Sequence, residues 1–164
     1  AGAGTTFVIT KHGNLFSCGV GRYGILGHGD DISIQMPRQI MSLLKFRVKS
    51  VAAGHSHAVA LLFTGRIWLW GRNHVGQLGL GFESKYDPSD VSAPMEKKTS
   101  QGIELEVNKN QKYYNPQHLT YFEETENVLQ IACGLNHTLA LVHVVNKNLT
   151  EKQVIYVWGD DSRG

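Results

Sequence analysis

Cysteine is scarce in this sequence: two among 164 residues cannot form a disulfide framework, and a reducing, intracellular setting is expected. Excess charge of one sign is missing too. Sixteen Lys and Arg against fourteen Asp and Glu leave +2, which by itself does not mark a nucleic-acid binder. No apolar run approaches the roughly 18 residues that a membrane helix needs, and the opening Ala1-Gly2-Ala3-Gly4 lacks the charged-then-apolar layout of a signal peptide. No window of a dozen residues carries a sustained helical stripe. Gly-x-Ser-x-Gly, Cys-x-x-Cys and any Ser–His–acid motif are all missing, so nothing points to an enzyme. With 41% hydrophobic and 18% charged residues, the chain is nonetheless core-forming rather than disordered.

Glycine is what the sequence has in excess. There are 18, against only four prolines. The glycines at 13, 19, 24, 27 and 29 recur at 65, 71, 76, 79 and 81, and Gly2 recurs as Gly54, all at an offset of 52. A third copy, Val154–Gly159, follows Gly71 at 88. A second motif precedes each copy: Gly2-Ala3-Gly4-Thr5, Gly54-His55-Ser56-His57 and Gly134-Leu135-Asn136-His137. Repeats of this length signal propellers, solenoids or arrays. The repeats fall at about 2–53, 54–133 and, in part, 134–164, within one unit spanning 1–164. An insert at roughly 82–115 and a shorter one before Val154 stretch the second interval.

The local period selects among these architectures. His57–Phe63 and Arg66–Trp70, joined through Thr64-Gly65, read as a β-hairpin, as do Phe7–Thr10 and Asn14–Cys18. Segments 47–52 and 127–132 add a strand each. Pro37–Leu43 and Pro116–Tyr121 supply a fourth, with proline at its start, where a missing N–H is tolerated. Val59, Leu61, Ile67, Trp68 or Trp70, Leu139 and Leu141 are the expected core, and Gly54 and Gly71 are expected where no side chain fits. Four short strands per repeat describe an all-β, four-stranded antiparallel propeller blade.

Gly-x-x-His paired with Trp-Gly-x-Asn-x-x-Gly-Gln-Leu-Gly resembles the repeats of the regulator of chromosome condensation family. Residues 54–81 carry the fullest match, through Gly54, His57, Trp70, Gly71, Gly76 and Gly79; Gly134, His137, Trp158 and Gly159 carry the later one. Thr5 stands where the motif has His, and Cys18 where it has Trp. The resemblance implies a seven-bladed propeller, of which this sequence supplies about two to three blades. A piece of a longer protein is therefore expected, its uncovered blade faces and strand edges covered either by the missing blades or by other copies of the chain. The resemblance further implies a non-enzymatic guanine-nucleotide exchange factor for a Ran-type small GTPase, associated with chromatin (histones and DNA) and nuclear. The alternative is a scaffold or substrate-recognition module in a larger multidomain protein such as a ubiquitin ligase.

Candidate chemistry is thin. Gly19-Val20-Gly21-Arg22-Tyr23-Gly24 fits the dinucleotide fingerprint, but no helix-forming segment and no acid follow at the needed distance, so no cofactor is expected. His55 and His57, two apart on a strand, would form half of a metal site, yet the repeat puts Thr5 in the slot of His57, which suits a buried hydrogen-bonding role better. Charge placement says more than net charge. From Ile32 to Phe82 there is no acid, while Arg38, Lys45, Arg47, Lys49, Arg66 and Arg72 are all cationic. Lys45, Arg47 and Lys49 alternate with Phe46 and Val48, so a strand would display all three on one face, whereas the next repeat carries Glu123, Glu124 and Glu126 there. Partner-binding candidates are therefore Lys45, Arg47, Lys49 and Arg72, with Tyr86, Tyr113 and Tyr114 of the nearly neutral insert.

Overall fold

In a computed structural model the described residues are 4–80, 112–122, 126–145 and 150–160, with the backbone alone at 96–99 and 102–105. They build successive antiparallel sheets. The first holds β1 (Thr5–Ile9), β2 (Leu15–Gly19) and β3 (Ile34–Gln39). The second holds β4 (Val48–Ala53), β5 (His57–Leu62), β6 (Ile67–Arg72) and β9 (Lys112–His118); the third holds β10 (Glu126–Cys133), β11 (His137–Val145) and β12 (Glu151–Gly159). A separate hairpin, β7 (Glu96–Thr99) with β8 (Gly102–Leu105), lies within the insert. By repeat position the first sheet is strands two to four of a blade and the third is strands one to three.

Turn chemistry sets these hairpins. Thr64-Gly65 closes β5 onto β6, with Gly65 N–H donating to the Leu62 carbonyl at 3.0 Å. The chain then locks one blade to the next through the same backbone bond twice: Val48 N–H donates to Gly13 O at 2.9 Å and Val128 N–H to Gly65 O at 3.2 Å. Gly71, next to last in β6, takes φ +102°, where a Cβ would strike the Ser56 carbonyl; at Gly54 a Cβ would meet the His57 imidazole and the Gly134 carbonyl. Both positions need glycine, as the repeat indicates.

Proline placement differs from the expectation. Both prolines sit inside their strands rather than at the start. Ser17 pairs with Arg38 but Gly19 with Ile34, and Leu69 pairs with Gln117 but Gly71 with Tyr113. Each outer strand thus bulges at its proline, and because each is the last strand of its sheet, the lost N–H costs no ladder bond.

Two cores lie between the sheets. Ala58, Ala60, Leu62 and Trp70 of the second sheet face Leu15, Ile25, Ile40 and Leu43 of the first. On its opposite face Val59, Leu61, Ile67 and Leu69 meet Val128, Ala140 and Val142 of the third. Every residue of β5 is therefore buried. Leu139 and Leu141, expected in the core, are only half-buried. They point to the face of the third sheet turned away from the second, beside Ile155 (65% exposed) and Val157 (61%). A strand has two faces, and among the described residues only one of this sheet is covered.

Cys133 packs partly buried against the second core. Burial pushes its thiol from 9.0 up to about 12, opposed by a hydrogen bond with Thr138. Native Cys133 is expected to resist iodoacetamide at about pH 8 and to react fully once denatured, because the thiolate is the nucleophile. Mass spectrometry of the labelled peptide reads this out, and native labelling at the rate of a free thiol would contradict it.

Candidate interaction surfaces

His57 and Trp70 are structural. His57 is fully buried, and its Nε2 lies 3.0 Å from Thr138 Oγ1 on the next blade. Thr138 spends its own proton on the Gln77 carbonyl at 2.8 Å, so Nε2 carries the hydrogen and donates. In the first copy Thr5 fills the slot and donates to Val20 O at 3.1 Å. His55 lies in the bend before β5 and is exposed, so the two histidines do not share a strand face. Among the described residues no three His, Cys, Asp or Glu are grouped to hold a metal ion. Trp70 N–H donates to Ile25 O of the preceding blade at 2.6 Å, with the indole against Gly27; Trp158 packs likewise on Gly79, but its buried N–H has no acceptor among the described residues, the Gln77 carbonyl accepting from Thr138. His137 closes its own turn, its carbonyl accepting from Gly134 N–H at 2.9 Å. Gly76 bends the chain at φ +78°, and Gly159 takes φ +114° at the end of β12. The Gly19–Gly24 fingerprint opens no helix of useful length, only the 3-10 turn Arg22–Gly24.

One serine–histidine contact escapes sequence reading. Ser17 Oγ lies 2.9 Å from His28 Nε2. It donates to Leu26 O at 2.7 Å and is wholly buried, which makes it an acceptor from His28 and not a nucleophile. Burial is the largest cause lowering the His28 pKa, with Arg38 adding to it. The cleft of about 260 Å³ lined by Leu119, Tyr121, Phe122, Tyr156 and Trp158 is aromatic and holds no nucleophile–base pair.

Surface charge is gathered at both ends of the second blade. At the hairpin end Lys45, Arg47 and Lys49 are all exposed. They do not share one strand, because β4 begins only at Val48. Lys45 lies in a turn, Arg47 stacks over the Phe63 ring at 4.9 Å, and Lys49 occupies the bulge between Val48 and Ser50, reaching Leu129 O at 3.4 Å. Glu123 and Glu124 lie outside the described residues, and the Glu126 carboxylate accepts from Tyr156 O–H at 2.9 Å. Arg38, from the same acid-free span, is paired with Asp30 at 3.6 Å.

At the opposite end Arg72 stands 4.8 Å from the Tyr23 ring, together with Arg22 and Lys112. Sequence reading missed Tyr23; its signal is a bulky ring in a turn slot that the next repeat fills with Val75. Tyr113 and Tyr114 belong to β9, Tyr113 packing on the second core and Tyr114 against Gly24. Tyr86 lies outside the described residues.

Repeated antiparallel blades, the second and third lodging a Trp on the preceding Gly-x-Leu-Gly corner, define a β-propeller class of interaction protein. The chain belongs to the regulator of chromosome condensation (RCC1) repeat family, whose model matches residues 12–61 and 64–141. It is 30% identical to the ultraviolet-B receptor UVR8 of Arabidopsis thaliana over 96% of this chain and 28% of that protein. It is 35% identical to the human E3 ubiquitin-protein ligase HERC2 over 85% of this chain but 2% of the ligase. The structure of Prp20p from Saccharomyces cerevisiae, described with its binding properties to Gsp1p and histones, superposes with a TM-score of 0.63 at 18% identity, over 99% of this chain and 38% of Prp20p. The chain thus spans well under half of each relative.

Proposed function

We propose that this propeller serves as a non-enzymatic guanine-nucleotide exchange factor for a Ran-type small GTPase and associates with chromatin in the nucleus. One observation carries the reading: Lys45, Arg47 and Lys49 stand exposed at one end of the second blade, and none forms an ion pair among the described residues. The likeness to Prp20p supports this kind of partner. An exchange factor makes and breaks no covalent bond. It binds the nucleotide-free GTPase more tightly than the loaded form and so shifts the population toward release. The test is nucleotide release from a Ran-type GTPase in the presence of the full-length protein. Acceleration is expected, and an unchanged rate would leave the second reading, a recognition module within a multidomain ligase, which the match to HERC2 favours.

Replacing Lys45, Arg47 and Lys49 together with Gln is expected to weaken binding to the GTPase or to nucleosomes about ten-fold and to flatten its salt dependence. Binding at two salt concentrations measures both. Unchanged affinity and salt slope for both partners would reduce the three cations to protection of a strand edge.

A further inference from the structure

We propose that Tyr23 and the three cations around it form a docking site for a carboxylate-rich segment of a protein partner, whether or not that partner is a GTPase. Arg22 Cζ lies 5.3 Å, Arg72 Cζ 4.8 Å and Lys112 Nζ 5.7 Å from the centroid of one phenol ring. They come from three places: the 3-10 turn of the first blade, the end of β6 and the start of β9. Arg22 is exposed, and Tyr23, Arg72 and Lys112 are half-buried at the blade end remote from Lys45.

The arrangement carries two features that cost stability. Arg72 and Lys112 are direct cross-strand partners, and like charges placed opposite each other destabilise a sheet. Tyr23 sits at φ +64°, the sole non-glycine residue with positive φ among the described residues, a conformation that is strained for a bulky side chain. Cation–π contact with the ring recovers part of this. None of the three cations forms an ion pair among the described residues, while Arg38, nearby in sequence to neither, has Asp30. What would relieve the mutual repulsion is an anion.

The shape of the cluster selects the kind of anion. A nucleic acid needs cations spaced along a backbone and an aromatic face open for base stacking. Here the cations converge on one ring and stand over its face, leaving no platform for a base. Two guanidinium forks and one ammonium around a single point suit a compact pair of carboxylates, which the forks take in bidentate fashion. Half-burial lessens screening by salt and strengthens each contact.

The experiment measures binding of fluorescein-labelled octaglutamate, and separately of an oligothymidylate, to the full-length protein. The Arg22→Gln/Arg72→Gln/Lys112→Gln variant is expected to lose about ten-fold in octaglutamate affinity, while a Lys11→Gln/Arg66→Gln/Lys152→Gln variant, equal in charge lost at three exposed positions outside either cluster, stays within about two-fold. Tyr23→Gly is expected to bind octaglutamate more weakly with an unchanged or higher melting temperature, because glycine accepts positive φ without strain. Equal losses from both triple variants would reduce the effect to net charge and overturn the site. Tighter binding of the oligothymidylate, abolished by the Tyr23-cluster variant, would make it a nucleic-acid surface instead. A Tyr23→Gly protein that melts lower yet keeps full affinity would make the ring a staple between blades and equally overturn the proposal.

Discussion

Trp70→Ala is expected to remove about 3–5 kcal/mol of stability, the range for truncating a large buried aromatic side chain. The indole is wholly buried and rises from β6 into the first blade, edge-on to Phe7 at 5.9 Å. Its removal opens a cavity bounded by two rigid sheets and leaves the Ile25 carbonyl without the 2.6 Å N–H it now receives. Trp70→Phe keeps most of the ring and loses the donor, so it should cost less, about 1–3 kcal/mol. Because the contact joins blades, Trp70→Ala should also speed labelling of Cys18 on β2 well below the denaturation midpoint. Chemical denaturation and thiol labelling measure both effects. A loss under about 1 kcal/mol would mean that the neighbouring blade does not depend on the indole.

The second large effect is acid destabilisation through His57. Burial lowers its pKa from 6.5 to about 4 in the folded protein. Above pH 6.5 neither folded nor unfolded chain holds the extra proton, and the full stability is present. Between pH 6.5 and about 4 the unfolded chain protonates His57 while the folded one does not, so stability falls with pH by a total of about 3 kcal/mol. The geometry explains the direction. Nε2–H is committed to Thr138 and Nδ1 is buried without a partner, so the hydrogen bond with the His137 backbone, which favours the charged ring, does not outweigh burial. Subtracting the stability–pH curve of His57→Thr isolates this contribution from the other histidines with lowered pKa, His28, His74 and His118. An identical slope in wild type and variant across that window would refute it. Thr is the natural replacement, since Thr5 already occupies the slot in the first blade and donates to Val20 O.

Much of the fold was legible because its determinants are local or repeated. The short runs His57–Phe63 and Arg66–Trp70, rich in Val, Leu, Ile and Trp, the Thr64-Gly65 turn and the recurring glycines specify hairpins wherever they occur, and six glycines recurring at one offset specify that the hairpins stack. Gly54 and Gly71 were readable for the same reason: a position that tolerates no Cβ in one copy tolerates none in the next.

What the tertiary structure alone decided depends on which surface meets which. Leu139 and Leu141 carry the same core-forming signal as Val59 and Leu61, yet they are half-exposed, because burial of a sheet face is settled by its neighbour and not by its own sequence. Lys45, Arg47 and Lys49 alternate like a strand, but a turn and a bulge divide them, since the ladder of β4 starts at Val48 where Gly13 offers its carbonyl. His57 finds its partner 81 residues away. Tyr23 collects cations from positions 22, 72 and 112, residues brought together only where the corner of one blade rests on the strand ends of the next. A repeat encodes its own hairpin through short-range sterics and alternation; the charges and cavities between repeats arise from packing, which no single stretch of sequence contains.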